Sequence, residues 1–298
     1  MKLRHCYPVN HRPARLVERR QYYAALDFNR PIAWLRSKND RAGNLLFSMD
    51  PGNETGYIRG KYRLKRGKLL NFTASDATEL REMVLEYLPE DVYYDRNRYK
   101  DPDRCADCDR RGDGCWGCSE LIGQELMIDI DPENIDCPNC GTLEDRVGSA
   151  SMFKFCYICF RRAVEQTRAL HKRLLLQGFK DLQIVYSGRG FHVYIEGRQA
   201  MLMSASERKD LATKLKGEGF AIDPWVTEGE ARLARLPFTL NGMVSRICMP
   251  IEAEEIEELD FWHGKCFAPS FISAECIRKT AKCPREQERK REAEHEDR

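Results

Sequence analysis

The chain has 298 residues, enough for one large domain or two small ones, and 42% of them are hydrophobic, enough for a sizeable core. Charged residues make up 32%, above the usual quarter, yet the formal net charge is only +2. That balance excludes a globally basic nucleic-acid coat, so any nucleic-acid surface must come from local clusters of Lys and Arg. No apolar run is long enough to span a bilayer, and MKLRHCYPVN lacks the apolar stretch of a signal peptide, so the expectation is a cytoplasmic protein with no membrane association.

Segment 13–36 carries apolar residues at helical intervals with a basic opposite face, and reads as helical. Within 44–73, NLLFSM, GYIRGKYRL and KLLNFT are short alternating runs split by Pro51-Gly52, Gly60 and Gly67, which predicts strands and hairpins. Lys61, Arg63, Lys65, Arg66 and Lys68 alternate there with Tyr57, Tyr62 and Leu64. This patch reads as a solvated hairpin face, with steering of a template backbone as the alternative. Ser75 is placed as the N-cap of a helix that runs to about Leu88 and stops before Pro89. LMIDID at 126–131 predicts a strand, and 160–179 a helix ended by Gly178. LQIVYS at 182–187 and FHVYIEG at 191–197 predict two strands around a glycine-rich loop. Residues 204–220 predict a helix capped by Ser204 or Ser206. Arg232 and Arg235 fall on an expected helix or turn. From Pro284 the chain is almost wholly charged, so the expected organisation is one domain over 1–283 and a solvated or disordered tail over 284–298.

Eight of the 13 cysteines form four Cys-x-x-Cys pairs. Without a secretory leader, such pairs argue for metal thiolates over disulfides. Cys137, Cys140, Cys156 and Cys159 have the ribbon-type spacing that brings two knuckles to one tetrahedral ion. Cys105, Cys108, Cys115 and Cys118 have a shorter inner loop, eased by Gly112, Gly114 and Gly117. The expectation is two structural Zn²⁺ ions in segments 105–118 and 137–159, paired within or across the clusters. Closed four-sulfur sites have no open position, which assigns them structure and not chemistry. Cys6, Cys248, Cys266, Cys276 and Cys283 have no ligand-like spacing.

Between the clusters, Asp129 and Asp131 share one face of a strand while Ile128 and Ile130 turn to the core. Two carboxylates at that spacing repel unless cations intervene, and paired Mg²⁺ or Mn²⁺ ions held by shared carboxylates serve phosphoryl transfer. Ser187-Gly188-Arg189-Gly190-Phe191-His192 supports this reading. Its glycines admit an anion to backbone amides, Arg189 can fork onto phosphate oxygens, and His192 can donate to them. Asp223, ahead of Pro224, can complete a carboxylate triad.

Taken in order, GQELMIDIDPENID, IVYSGRGFHVYI and IDPWVTEGEARLARLPFTLNG resemble the acidic strand, the Ser-x-His motif and the third-Asp segment of the archaeo-eukaryotic primase family, over about residues 20–262. The resemblance implies an α+β primase-type catalytic fold, a mixed or antiparallel sheet flanked by helices with inserted zinc-binding modules. It implies that Asp129, Asp131 and Asp223 hold two divalent ions. Ser187, Arg189 and His192 would bind the phosphates of an incoming nucleotide, Arg235 would add a cation near the triphosphate, and Arg30 in FNRPIAWL would match an N-terminal family Arg. The implied function is template-directed primer synthesis by the catalytic small subunit of a DNA primase. Its partners would be a primase large subunit, a single-stranded DNA template and nucleoside triphosphates. The chain departs from the family at a glycine loop one residue shorter than its commonest form, at Asn241 and Met243 where His and Lys are common, and in its extra cysteine cluster. The alternatives are a gap-filling repair polymerase of the same superfamily, a non-catalytic zinc protein that binds single strands, and a scaffold subunit.

Overall fold

Local chemistry fixes where each element begins. The chain, described here by a computed structural model, is defined over residues 12–38, 43–52, 69–106, 108, 115–149, 155–259 and 268–271. The helical stretch expected over 13–36 is two helices, α1 (Leu16–Ala25) and α2 (Asn29–Ser37). The break has a local cause: Leu26 is extended, and the Asp27 carboxylate accepts from the Asn29 N–H at 3.0 Å, starting a new helix there. β1 (Leu45–Asp50) pairs antiparallel with β2 (Leu70–Ala74), Phe47 stacking on Phe72. Helix α3 (Ala77–Tyr87) is capped by Asp76 and not by Ser75. The Asp76 carboxylate takes the N–H groups of both Thr78 and Glu79, while Ser75 donates to the Glu79 carboxylate, which shifts the cap by one residue. Leu88 then turns left-handed (φ 46°) ahead of Pro89, ending the helix.

The next elements are β3 (Asp91–Asp95), β4 (Asn97–Tyr99), α4 (Pro102–Ala106), β5 (Leu121–Gln124) and β6 (Leu126–Ile130). After a 3₁₀ turn at Pro132–Asn134 come α5 (Leu143–Gly148) and the long α6 (Tyr157–Leu176). β7 (Leu182–Tyr186) and β8 (Phe191–Ile195) follow, then α7 (Arg198–Met201) and α8 (Ala205–Gly217), the last capped by Ser204 in a capping box with Glu207. α9 (Pro224–Glu228), β9 (Leu233–Arg235) and β10 (Met249–Ile251) complete the framework. Arg232 and Arg235, expected on a helix or turn, lie at strand β9. Their guanidinium groups pair with Asp95 and Asp91 at the two ends of β3, which holds the short strand to the sheet edge.

Among the described residues the strands form two antiparallel four-stranded sheets, ordered β2-β1-β3-β9 and β10-β7-β8-β6, and a β4-β5 ribbon. Side-chain alternation explains the layering. In the second sheet, Ile128, Ile130, Ile184, Tyr186, Phe191 and Val193 enter a core with the apolar face of α6 and α8. Their neighbours Met127, Val185 and Tyr194 enter a different core, shared with Phe47, Phe72, Val92 and Tyr94 of the first sheet. The second sheet is thus covered on both faces, and its strands are apolar almost throughout. Helices beside antiparallel sheets make this an α+β fold. Among the described residues no helix is long and apolar enough to cross a membrane. Residues 57–68, Cys6, Cys266, Cys276, Cys283 and the tail from Pro284 lie outside the described residues.

Candidate active site and thiol cluster

The edge strand β6 carries the acidic pair. Ile128 and Ile130 are fully buried, so the intervening Asp129 turns the other way, opposite His192 in the β6–β8 register. Asp131 lies one residue past the strand in extended conformation, which continues the alternation. Asp223 arrives from elsewhere in the chain: its N–H donates to the Asp129 carbonyl at 3.0 Å, seating the start of α9 beside β6. The Asp223 carboxylate accepts from the Trp225 N–H at 3.0 Å, while the Trp225 side chain is exposed. Burial raises Asp129 well above the usual carboxylate range, helped by the charges of Asp131, Asp223 and Glu133. Burial and Asp131 raise Asp223 as well. Asp129 Oδ1 is buried without a hydrogen bond among the described residues, and His192 Nε2 lies 3.7 Å from it. Carboxylates that raise one another in this way suit a cation between them.

The glycine loop between β7 and β8 closes on itself. The Ser187 N–H donates to the Gly190 carbonyl at 2.9 Å, and the Gly190 N–H donates to Ser187 Oγ at 3.0 Å. Two glycines are required. Gly188 has φ +95°, and a Cβ there would stand 2.5 Å from Asn241 Cβ; a Cβ on Gly190 would stand 2.1 Å from Asp131 Oδ1. Asn241 staples the loop by donating from Nδ2 to the Ser187 carbonyl at 2.9 Å and accepting from the Met243 N–H at 3.1 Å. Arg189 Nη2 reaches Asp131 Oδ2 at 3.0 Å and also pairs with Glu133 Oε1. Burial lowers His192 to about 4, so its imidazole is neutral near pH 7.

Ser187, Arg189 and His192 are therefore brought to the carboxylates. The two other expected cations have partners of their own. Arg235 pairs with Asp91 and lies over the Tyr93 ring. Arg30 lies over the Phe238 ring, 4.4 Å from its centroid, beside a cavity of about 500 Å³ lined also by Tyr22, Asp27 and Met249. Two site residues escaped the sequence reading. Glu133 is buried beside Arg189, and its only sequence signal is an acid two residues beyond Asp131. Arg146 is 1% exposed, and nothing in its local sequence distinguishes it from a surface arginine.

Arg146 ties the acidic turn to the second cysteine set. It donates from Nη1 to the Glu133 carbonyl, and from Nη2 to the Ile135 carbonyl at 2.9 Å and to Cys159 Sγ at 3.5 Å. Cys137, Cys140, Cys156 and Cys159 bring their sulfurs within 4.8 Å of one another. Sulfurs each about 2.3 Å from a tetrahedral Zn²⁺ would be about 3.8 Å apart. Cys137–Cys156 and Cys156–Cys159 measure 3.6 and 3.7 Å, so the set fits a metal such as zinc. Hydrogen bonds from Cys140 and Cys159 lower the Cys156 thiol, while the same contacts with Cys140 and Cys156 raise Cys159. In the first set, Cys105 is buried and its thiol is pushed up to about 11 by burial and by Cys118, Cys108 and Cys115, while Cys118 is exposed. These four are neighbours without the close packing of the second set.

No family model matches the chain. An Archaeoglobus fulgidus protein described as an uncharacterized DNA primase small subunit-like protein is 38% identical over 262 residues, covering 87% of this chain and 91% of that one. The DNA primase small subunit PriS of Pyrobaculum arsenaticum is 26% identical over 233 residues, covering 64% of this chain and 69% of its own. PriS of Sulfurisphaera tokodaii is 25% identical over 267 residues, covering 77% and 78%. The polymerase domain of Mycobacterium tuberculosis Ligase D, solved with DNA, covers 95% of this chain and 96% of itself at 13% identity, with a TM-score of 0.47, too low to carry an argument. With more than a third of its residues shared along nearly the whole of a small subunit-like relative, the chain belongs to the archaeo-eukaryotic primase small-subunit family of nucleotidyltransferases.

Proposed function

We propose that this chain synthesises primers on a single-stranded DNA template by nucleotidyl transfer from nucleoside triphosphates, as the catalytic partner of a primase large subunit. The observation that carries the reading is the convergence of Asp129, Asp131 and Asp223 from two distant segments, with Arg189 against them. Asp129, Asp131 and Asp223 would hold Mg²⁺ or Mn²⁺. Such ions, when bound, supply activation of an attacking 3′-hydroxyl and charge to offset the leaving pyrophosphate. The chain's own task is positioning. The Ser187–Gly190 loop, closed by its own hydrogen bonds, presents the Arg189 guanidinium to the phosphates, and Asn241 keeps that loop from drifting. His192, fixed on β8 opposite Asp129, presents a ring nitrogen to the same space. Cys137, Cys140, Cys156 and Cys159 would hold a closed, structural Zn²⁺, and the first cysteine set, by its paired spacing, a second one.

Purified protein, a single-stranded DNA template, labelled nucleotides and Mg²⁺ or Mn²⁺ test the reading. Short products from the wild type are expected, with losses of at least about 10³-fold in Asp129→Asn and Asp131→Asn at unchanged melting temperature. Undiminished synthesis in either variant would overturn the carboxylate assignment. Extension of paired primers without de novo initiation would favour a gap-filling polymerase.

A further inference from the structure

The nucleotidyl-transfer reading leaves Glu133 without a task, yet the chain buries it in the site. Glu133 is 6% exposed and sits in the 3₁₀ turn that follows Asp131. Its Oε1 takes the same Nη2 of Arg189 that reaches Asp131 Oδ2, while its Oε2 is buried without a hydrogen bond among the described residues. Its carbonyl is held by the buried Arg146, so the turn is anchored from behind. Burying a carboxylate is costly unless a cation is held there. Here one guanidinium stands between two carboxylates, only one of which the reading assigns to a metal.

That arrangement has an electrostatic consequence. A divalent ion and the guanidinium on Oδ2 would share the one Asp131 carboxylate, and they repel each other at such range. With Asp131 as its sole partner, Arg189 would either block the ion or be released by it. A second carboxylate on the same nitrogen removes the conflict. We propose that Glu133 is a positioning residue that retains Arg189 at the phosphate side of the site when Asp131 is given over to a metal ion. The inference rests on the functional reading above and adds a fourth carboxylate to it, one that acts through Arg189.

The test measures Mn²⁺ binding to the full chain without nucleotide, by the electron paramagnetic resonance of free Mn²⁺, and then binding of a fluorescent nucleoside triphosphate in saturating Mn²⁺. Glu133→Gln keeps the shape and removes the charge. It is expected to weaken both affinities by roughly tenfold, or ~1.4 kcal/mol. Glu133→Asp, which keeps the charge, should recover to within about threefold of wild type. In an Arg189→Gln background, Glu133→Gln should change Mn²⁺ affinity by less than about twofold, because the group it acts through is gone. Wild-type affinities in Glu133→Gln would overturn the proposal, as would equal losses with and without Arg189. If Glu133→Gln lowers the melting temperature, Glu133→Asp decides: a folded Asp variant with the full loss of affinity also overturns it. Asp131→Asn separates the two readings. Unchanged Mn²⁺ affinity there refutes the metal assignment itself, whereas its loss together with wild-type behaviour of Glu133→Gln refutes the role of Glu133 alone.

Discussion

The two cysteine segments have the same ligands in the same pairs, yet the chain treats them differently. The second set closes to a compact quartet. Two of its sulfurs are buried, Cys156 and Cys159 sit at the start of the 20-residue helix α6, and Arg146 supports Cys159 from behind. The first set rests beside the β4–β5 ribbon and the one-turn helix α4. Its Cys115 is steadied by the Tyr99 hydroxyl at 3.6 Å, and Cys118 is exposed. Spacing names the ligands, but closing them depends on an element long enough to hold one knuckle still while the other folds onto it.

The sharpest way to break this comparison is to remove one sulfur from each set. Cys159→Ser is expected to lose a bound Zn²⁺ in native mass spectrometry and to lower the melting temperature by more than about 10 °C, because metal binding and folding are coupled there. An unchanged melting temperature would mean that the quartet is not a structural centre. Arg146→Met comes next. It strips donors from two buried carbonyls and a cysteine sulfur, and chemical denaturation should show a loss of about 3 kcal/mol. Thr142→Ala removes the side-chain half of the capping box that starts α5 within the second segment, and should cost about 1 kcal/mol by the same measurement. Cys118→Ser is the counterpart in the first set. It should lose the second Zn²⁺ in native mass spectrometry, but its thiol is exposed and only the one-turn helix α4 stands beside it, so the melting temperature should fall by less than about 5 °C, and a fall as large as that of Cys159→Ser would show that the two segments are equals.

What was legible in the sequence is what short-range pattern encodes. Alternation in LMIDID placed Asp129 and Asp131 on one face, and the Cys-x-x-Cys spacing picked out the quartet. The Ser204 cap and the strands around the glycine loop were equally local. What escaped depends on partners far away in the chain. Arg235 ends strand β9 and Arg232 precedes it because Asp91 and Asp95 are waiting on β3, 137 positions away in the case of Asp95. Arg146 and Glu133 are buried because they satisfy each other's surroundings, and no periodicity announces that. Arg30, which the resemblance singled out, packs on the Phe238 ring, a partner 208 positions along the chain that no local pattern reveals. Asn241, a departure from the family pattern, is accounted for by the loop it staples.

The strand order bears on how the protein emerges during synthesis. The first sheet takes its edge strand β9 from residues 233–235 although its other strands end at residue 95, and the second sheet takes β10 from 249–251. Such long-range pairings form late, since loop closure must precede the contacts that reward it. The second cysteine set is complete by residue 159. On a chain growing at about 5–20 residues per second, several seconds separate the last of these thiols from β9 leaving the ribosome. Over that interval the nascent chain presents four closely spaced thiols before β9 and β10 can join their sheets, an order in which a metal taken up by the quartet would be in place ahead of the long-range pairings.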